Sequence, residues 1–123
     1  MPVRVLIVDD SVFFRNRISL ILKSHPGIEV IDVAKNGVEA VEKVQRLHPD
    51  VVTMDVEMPE MDGYTLTAEL RRHPEFKDLH IILHTSLSGV FNQAMVERVG
   101  ANEFIAKFNP DELGAAVKAA VSK

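Results

Sequence analysis

Five polar residues stand where short apolar runs end. Asp9 and Asp10 follow Val3 to Val8, Asp55 follows Val51 to Met54, Thr85 follows the stretch that encloses Ile81, Ile82 and Leu83, and Lys107 follows Phe104 to Ala106. If these ends share one crevice, three carboxylates crowd together and repel one another, and a divalent cation relieves the conflict. An all-oxygen ligand set with partial hydration favours Mg²⁺, with Mn²⁺ as the alternative. In such a site Asp10 and Asp55 ligate directly, Asp9 directly or through water, and the backbone carbonyl of Glu57 helps. Lys107 adds a fixed positive charge and Thr85 a hydroxyl. Cation, ammonium and hydroxyl are what a phosphoryl group needs when it moves to a carboxylate oxygen, a transfer governed by positioning and charge stabilisation. Asp55 is the lone acid at its strand end, which makes it the nucleophile candidate; Asp9 and Asp10 read as a metal-holding pair.

The elements that must position these groups alternate along the chain. Val3 to Val8, Glu29 to Ala34, Val51 to Met54, His80 to His84 and Glu103 to Ala106 are short runs, most of them continuously apolar, as parallel strands covered on both faces should be. Between them lie helical patterns. Ser11 caps one striped by Phe14, Ile18, Ile21 and Leu22; Ala40, Val41, Val44 and Leu47 stripe a second, stopped by Pro49. A third spans about Tyr64 to Arg72 and breaks at Pro74. A fourth runs from Gly89 to Val99, with Gly100 as its stop. Asn109-Pro110-Asp111-Glu112 starts a fifth, with Leu113, Ala116, Val117, Ala120 and Val121 on one face. Strand and helix alternate five times, which predicts an α/β three-layer sandwich of residues 1–123 as one domain. In a parallel sheet the carboxyl ends of the strands share one edge, so the polar residues converge at the topological switch point.

Composition narrows the classes. There are 123 residues, 46% hydrophobic and 26% charged, with no cysteine and a net charge of −4. Disulfides, thiolate catalysis and zinc–thiolate sites are excluded. No apolar run approaches the roughly 18 residues of a membrane span, and no signal peptide is visible. The expected setting is cytoplasmic, with no membrane partner. The acidic balance argues against direct binding of nucleic acid. The five histidines, at 25, 48, 73, 80 and 84, are scattered. His80 and His84 share one strand face and read as half-buried core histidines, not ligands. The pairs Arg15/Arg17 and Arg71/Arg72 read as solvated faces.

The acid pair Asp9-Asp10, the block Asp55-Val-Glu-Met-Pro-Glu-Met-Asp-Gly63, Thr85 and Lys107 together resemble a response-regulator receiver domain, in that family's order and spacing. The resemblance covers the whole chain. It implies a flavodoxin-like (βα)5 fold with a parallel five-stranded sheet of order 2-1-3-4-5. It also implies phosphorylation of Asp55 by the phosphohistidine of a histidine kinase, with Mg²⁺ required. The catalytic set is then Asp55, Lys107 and Thr85; the metal set is Asp9, Asp10, Asp55 and the Glu57 carbonyl. The family's switch is implied at Thr85 and Phe104, with output through the face of the fourth helix, fifth strand and fifth helix (α4-β5-α5). Phe104 stays open between a switch residue and an ordinary core aromatic. A finer resemblance, carried by His84-Thr-Ser-Leu-Ser-Gly89, Val99-Gly-Ala101 and Phe104 to Leu113, is to the receiver half of CheV-type chemotaxis coupling proteins. The coupling module of those proteins does not accompany these residues, which fits an excised domain or a single-domain relative. Where many receivers have proline after the lysine, this chain has Phe108, and a cis bond there costs about 3 kcal/mol.

The expectation is therefore a phospho-accepting chemotaxis module, monomeric or weakly dimeric, that turns over nothing beyond its own aspartyl phosphate. Its partners are a kinase and a downstream or fused chemotaxis protein. Two alternatives compete. One is the receiver of a DNA-binding regulator. The other is an aspartate-nucleophile phosphohydrolase, which wants a second Asp where Glu57 stands and a cap this chain has no room for.

Overall fold

A computed structural model of the chain describes residues 2–56, 58, 62–85, 97–106 and 110–120. Strands β1 (Val3–Val8), β2 (Ile28–Ala34), β3 (Val51–Asp55), β4 (His80–Thr85) and β5 (Glu103–Ala106) form one sheet of order β2-β1-β3-β4-β5. All four pairings are parallel. Helices α1 (Val12–Lys23), α2 (Gly37–Leu47) and α3 (Gly63–Arg71) and the C-terminal helix (Pro110–Ala120) cover it. This is the α/β flavodoxin-like arrangement and strand order implied by the resemblance.

Two apolar layers explain why the central strands are mostly hydrophobic. On one face Leu6, Val8, Val52, Met54, Ile81 and Leu83 pack with residues of α2 and α3, such as Val44 and Leu70. On the other, Val5, Ile7, Val51 and Ile82 pack with Ile18 and Leu22 of α1 and with Leu113 and Val117 of the C-terminal helix. Alternating residues feed opposite layers, so neither face can be polar along its middle.

The helices begin where the sequence offers short polar caps. The Ser11 hydroxyl accepts from Phe14 N–H at 3.4 Å, the Asn36 side chain from Glu39 N–H at 2.8 Å and the Asp62 carboxylate from Thr65 N–H at 2.8 Å. Each satisfies a donor the helix itself leaves open. Helix α2 ends at His48, whose φ of 48° lies in the left-handed region, immediately before Pro49. The expected fourth helix falls largely on residues outside those described; positions 97–99 are helical, and Gly100 closes them at φ 84°.

Two features differ from expectation. After α3 the chain makes a turn of 3₁₀ helix, Pro74–Phe76, whose Phe76 is buried in the α2/α3 layer. Pro74 breaks the α-helix, but its fixed φ suits the first position of a new short one. Arg71 is not part of a solvated face. Its guanidinium donates to the carbonyls of Gly100 (2.9 Å) and Phe76 (2.8 Å) and to the side chain of Asn102 (2.8 Å). Burial holds this guanidinium below its ordinary pKa, with Asp78 opposing the shift. Asn102 in turn accepts from Ile81 N–H at 2.8 Å. One arginine therefore ties the end of α3 to the start of β5.

Replacing Arg71 with alanine is expected to lower unfolding free energy by about 2 kcal/mol, because several partners lose a charge-assisted donor together. Arg72→Ala, which removes an exposed pair with Glu69, should change it by less than about 0.5 kcal/mol. Urea denaturation of the two variants checks the contrast.

Candidate functional site

The register of the sheet decides which residues meet. Ile7 pairs with Thr53 on β3, and Thr53 with Ile82 on β4; two residues further along the same face, Asp55 pairs with His84. Asp9 lies two residues beyond Ile7 and keeps the ladder going, donating its backbone N–H to Ala34 O at 3.0 Å. Asp9, Asp55 and His84 are therefore brought to one point, above the layer that α1 and the C-terminal helix cover. One ligand atom from each lies within 4.8 Å of those of the other two. All three are buried, at 0%, 4% and 1% exposure.

Local hydrogen bonds hold this corner. The Asp9 carboxylate accepts from Ser11 N–H at 2.9 Å, which leads the chain into α1, and Arg15 of that helix donates to the Asp9 carbonyl at 2.8 Å. Beyond Asp55, Val56 N–H donates to His84 O at 2.9 Å, so β3 and β4 stay joined past the acid. Gly63 N–H then donates to Val56 O at 2.9 Å, bringing α3 back over the strand end. A Cβ on Gly63 would stand 2.5 Å from the Asp55 carbonyl oxygen. Only glycine permits that approach. Asp62-Gly63 is thus helix-start chemistry.

The other candidates are placed as follows. Asp10 is exposed and stands outside the buried trio. Thr85 is the last residue of β4, paired with Ala106 of β5; its side chain lies outside the description. Glu57 and Lys107, with the Lys107–Phe108 peptide, lie outside the described residues. Phe104 is opposite Leu83 and packs, half-buried, against the α2/α3 layer. His84 was read as a half-buried core histidine and is instead fully buried beside the two acids. Its signal was available only through register: a histidine one residue before the end of β4, on the face that carries Asp55.

Two buried carboxylates side by side are costly unless charge is compensated. Two carboxylates and an imidazole can hold a divalent cation, so the donor set present fits one.

These features define a class. The response regulator receiver domain family matches residues 5–118, and the chain belongs to it. The chain is similar to a protein-glutamate methylesterase/protein-glutamine glutaminase of Alkalilimnicola ehrlichii, 49% identical over 110 residues, which is 87% of this chain and 27% of that protein. It thus spans about a quarter of the length of that relative. Among solved structures it resembles the response regulator domain of Thermotoga maritima CheB (TM-score 0.86, 33% identity, 98% of this chain and 96% of that one). It also resembles the chemotaxis response regulator CheY4 of Vibrio cholerae (TM-score 0.85, 31% identity, 98% and 100%). Chemotaxis is the printed role of one of these structures, as expected, while the sequence relative is a methylesterase/glutaminase and not a coupling protein of the finer resemblance.

Gly63→Ala is expected to destabilise the fold by about 1–3 kcal/mol through the forced shift at the Asp55 carbonyl. Thermal unfolding measures it. A variant as stable as the parent would show that α3 can move away from the strand end without consequence.

Proposed function

We propose that this chain is a phospho-accepting switch in chemotaxis signalling, with Asp55 as the acceptor. The observation that carries the proposal is the burial of Asp55 beside Asp9 at the carboxyl edge of the sheet, in a chain of the receiver family. The donor is the phosphohistidine of a histidine kinase. An Asp55 carboxylate oxygen forms the new P–O bond while the donor's P–N bond breaks. The leaving imidazole keeps the electron pair and takes up a proton. Asp9, Asp10 and the Glu57 carbonyl, with Asp55, would hold Mg²⁺, which neutralises the acids and stabilises the charge on the phosphoryl oxygens. Lys107 pairs with one phosphoryl oxygen, and the Thr85 hydroxyl donates to another.

The acyl phosphate carries about two negative charges where the Asp55 carboxylate carried one. Thr85, drawn toward them, changes the packing next to Phe104, and the change is read on the face of β5 and the C-terminal helix. That face carries a groove of about 410 Å³ between Phe104, Glu112 and Ala115. The switch needs only a few kcal/mol of differential stabilisation between two packings. The output partner is a chemotaxis module, and the 49% identity to a protein-glutamate methylesterase favours one of that kind. The chain itself then transfers no group beyond its own phosphoryl. No described helix is long and apolar enough to cross a membrane, which agrees with the cytoplasmic setting such signalling uses.

Intact mass after incubation with Mg²⁺ and a small acyl phosphate tests this. The wild type should gain one phosphoryl group, lose the gain when the cation is chelated, and show none in Asp55→Asn. An adduct that survives the substitution would place the acceptor elsewhere. If neither protein shows an adduct, inorganic phosphate release that stops in Asp55→Asn still supports the proposal, and no release contradicts it.

A further inference from the structure

An open sheet ends in strands with one side unpaired, and β2 is such an edge: among the described residues it pairs with β1 alone. We propose that the outer edge of β2 is a strand-addition surface for a second copy of this chain, kept closed by Asp32 and Lys43, which occupy both outward backbone groups of Val33.

Successive residues of a strand turn their backbone groups to opposite sides. Ala34 faces β1, since its carbonyl accepts from Asp9 N–H at 3.0 Å. Val33, one residue earlier, therefore turns its N–H and C=O away from the sheet, where a further strand would bind. Both are taken. The Val33 N–H donates to Oδ1 of Asp32 at 2.8 Å, and the Lys43 ammonium, on α2, donates to the Val33 carbonyl. Oδ2 of Asp32 lies 3.2 Å from the same ammonium, and Glu39 lies 3.7 Å from it. Burial acts to raise the pKa of Asp32, but the Val33 N–H and Lys43 outweigh it and hold the carboxyl below its ordinary value. The pair is thus charged at neutral pH. An incoming strand would have to break these contacts and desolvate the charges. An ordinary surface ion pair needs no backbone partner and contributes little to stability; this one caps the donor and the acceptor of a single residue.

The strand behind the guard is suited to pairing. Ile28, Val30, Ile31 and Val33 are β-branched, and only Glu29 and Asp32 carry charge. The register shifts between Val5 and Leu6, which pair with Val30 and Asp32, so Ile31 forms a bulge just ahead of the guarded residue. Bulges and charged side chains, lysine above all, are the devices that close sheet edges. The occupant they exclude is the same strand of a second copy, run antiparallel about a two-fold axis. That strand offers the identical edge, and the pairing is complete after two chains.

The test is sedimentation of the 123-residue chain over a concentration series, with residue-resolved amide exchange, for the wild type, Asp32→Ala, Lys43→Met and the double variant. The double variant should dimerise at a concentration lower than the wild type by about tenfold or more. Its amide exchange should slow within residues 28–34. Each single variant should shift the same way by less, and these carry the comparison if the double variant fails to fold. Folded variants that associate no more readily than the wild type overturn the proposal. So does a dimer whose new protection lies outside β2.

Discussion

Burying two carboxylates against each other is the constraint on which the site depends. Asp9 follows β1 and Asp55 ends β3, so the two acids come from distant parts of the sequence. Their proximity follows from the parallel register of β1, β3 and β4, which places residues of like parity on one face and lets the acids emerge where the apolar layer ends. The two packed layers below keep that register, because slipping a strand by one residue would turn its whole apolar set to the wrong side. Like charges so placed repel, and the fold tolerates them only with a compensating group. A site built this way is sensitive to added charge, which is the property a phosphorylation switch uses.

The same constraint explains the close-fitting parts around the acids. Gly63 lets α3 approach the Asp55 carbonyl, Ser11 and Arg15 fix the exit from β1, and the bond between Val56 and His84 O carries the β3–β4 ladder past the acid. Arg71 acts further away, joining α3, the turn after it and the start of β5. The strand that carries Phe104 is thereby tied to the helix that starts over Asp55. Such a connection gives a change at Asp55 a short route to the β5 face through packed elements.

Much of this was legible in the sequence, and the exceptions have physical causes. Short runs, most of them continuously apolar, marked the five strands, because strands covered on both faces need no polar side. Ser11 and Gly100 marked helix ends through capping chemistry. Strand order was not in the runs themselves and came with the family resemblance. Arg71 looked like half of a solvated pair because its partners are backbone carbonyls distant in sequence. Phe76 was passed over because Pro74 reads as a stop, not as the start of a 3₁₀ turn. His84 looked like an isolated core histidine, since only pairing with β3 reveals that it faces Asp55. The pair Asp9-Asp10 divides in the fold, with Asp9 buried beside Asp55 and Asp10 at the surface, a division the sequence pattern does not carry.

The most direct measurement is the location of the phosphoryl group. Reduction of an aspartyl phosphate with borohydride cleaves the acyl–oxygen bond, releases phosphate and leaves homoserine, which peptide mass spectrometry can place. The account predicts homoserine at position 55 alone. Homoserine at position 9 or 10, or phosphorylated protein that yields none, would contradict the claim that the strand register builds an acceptor at Asp55.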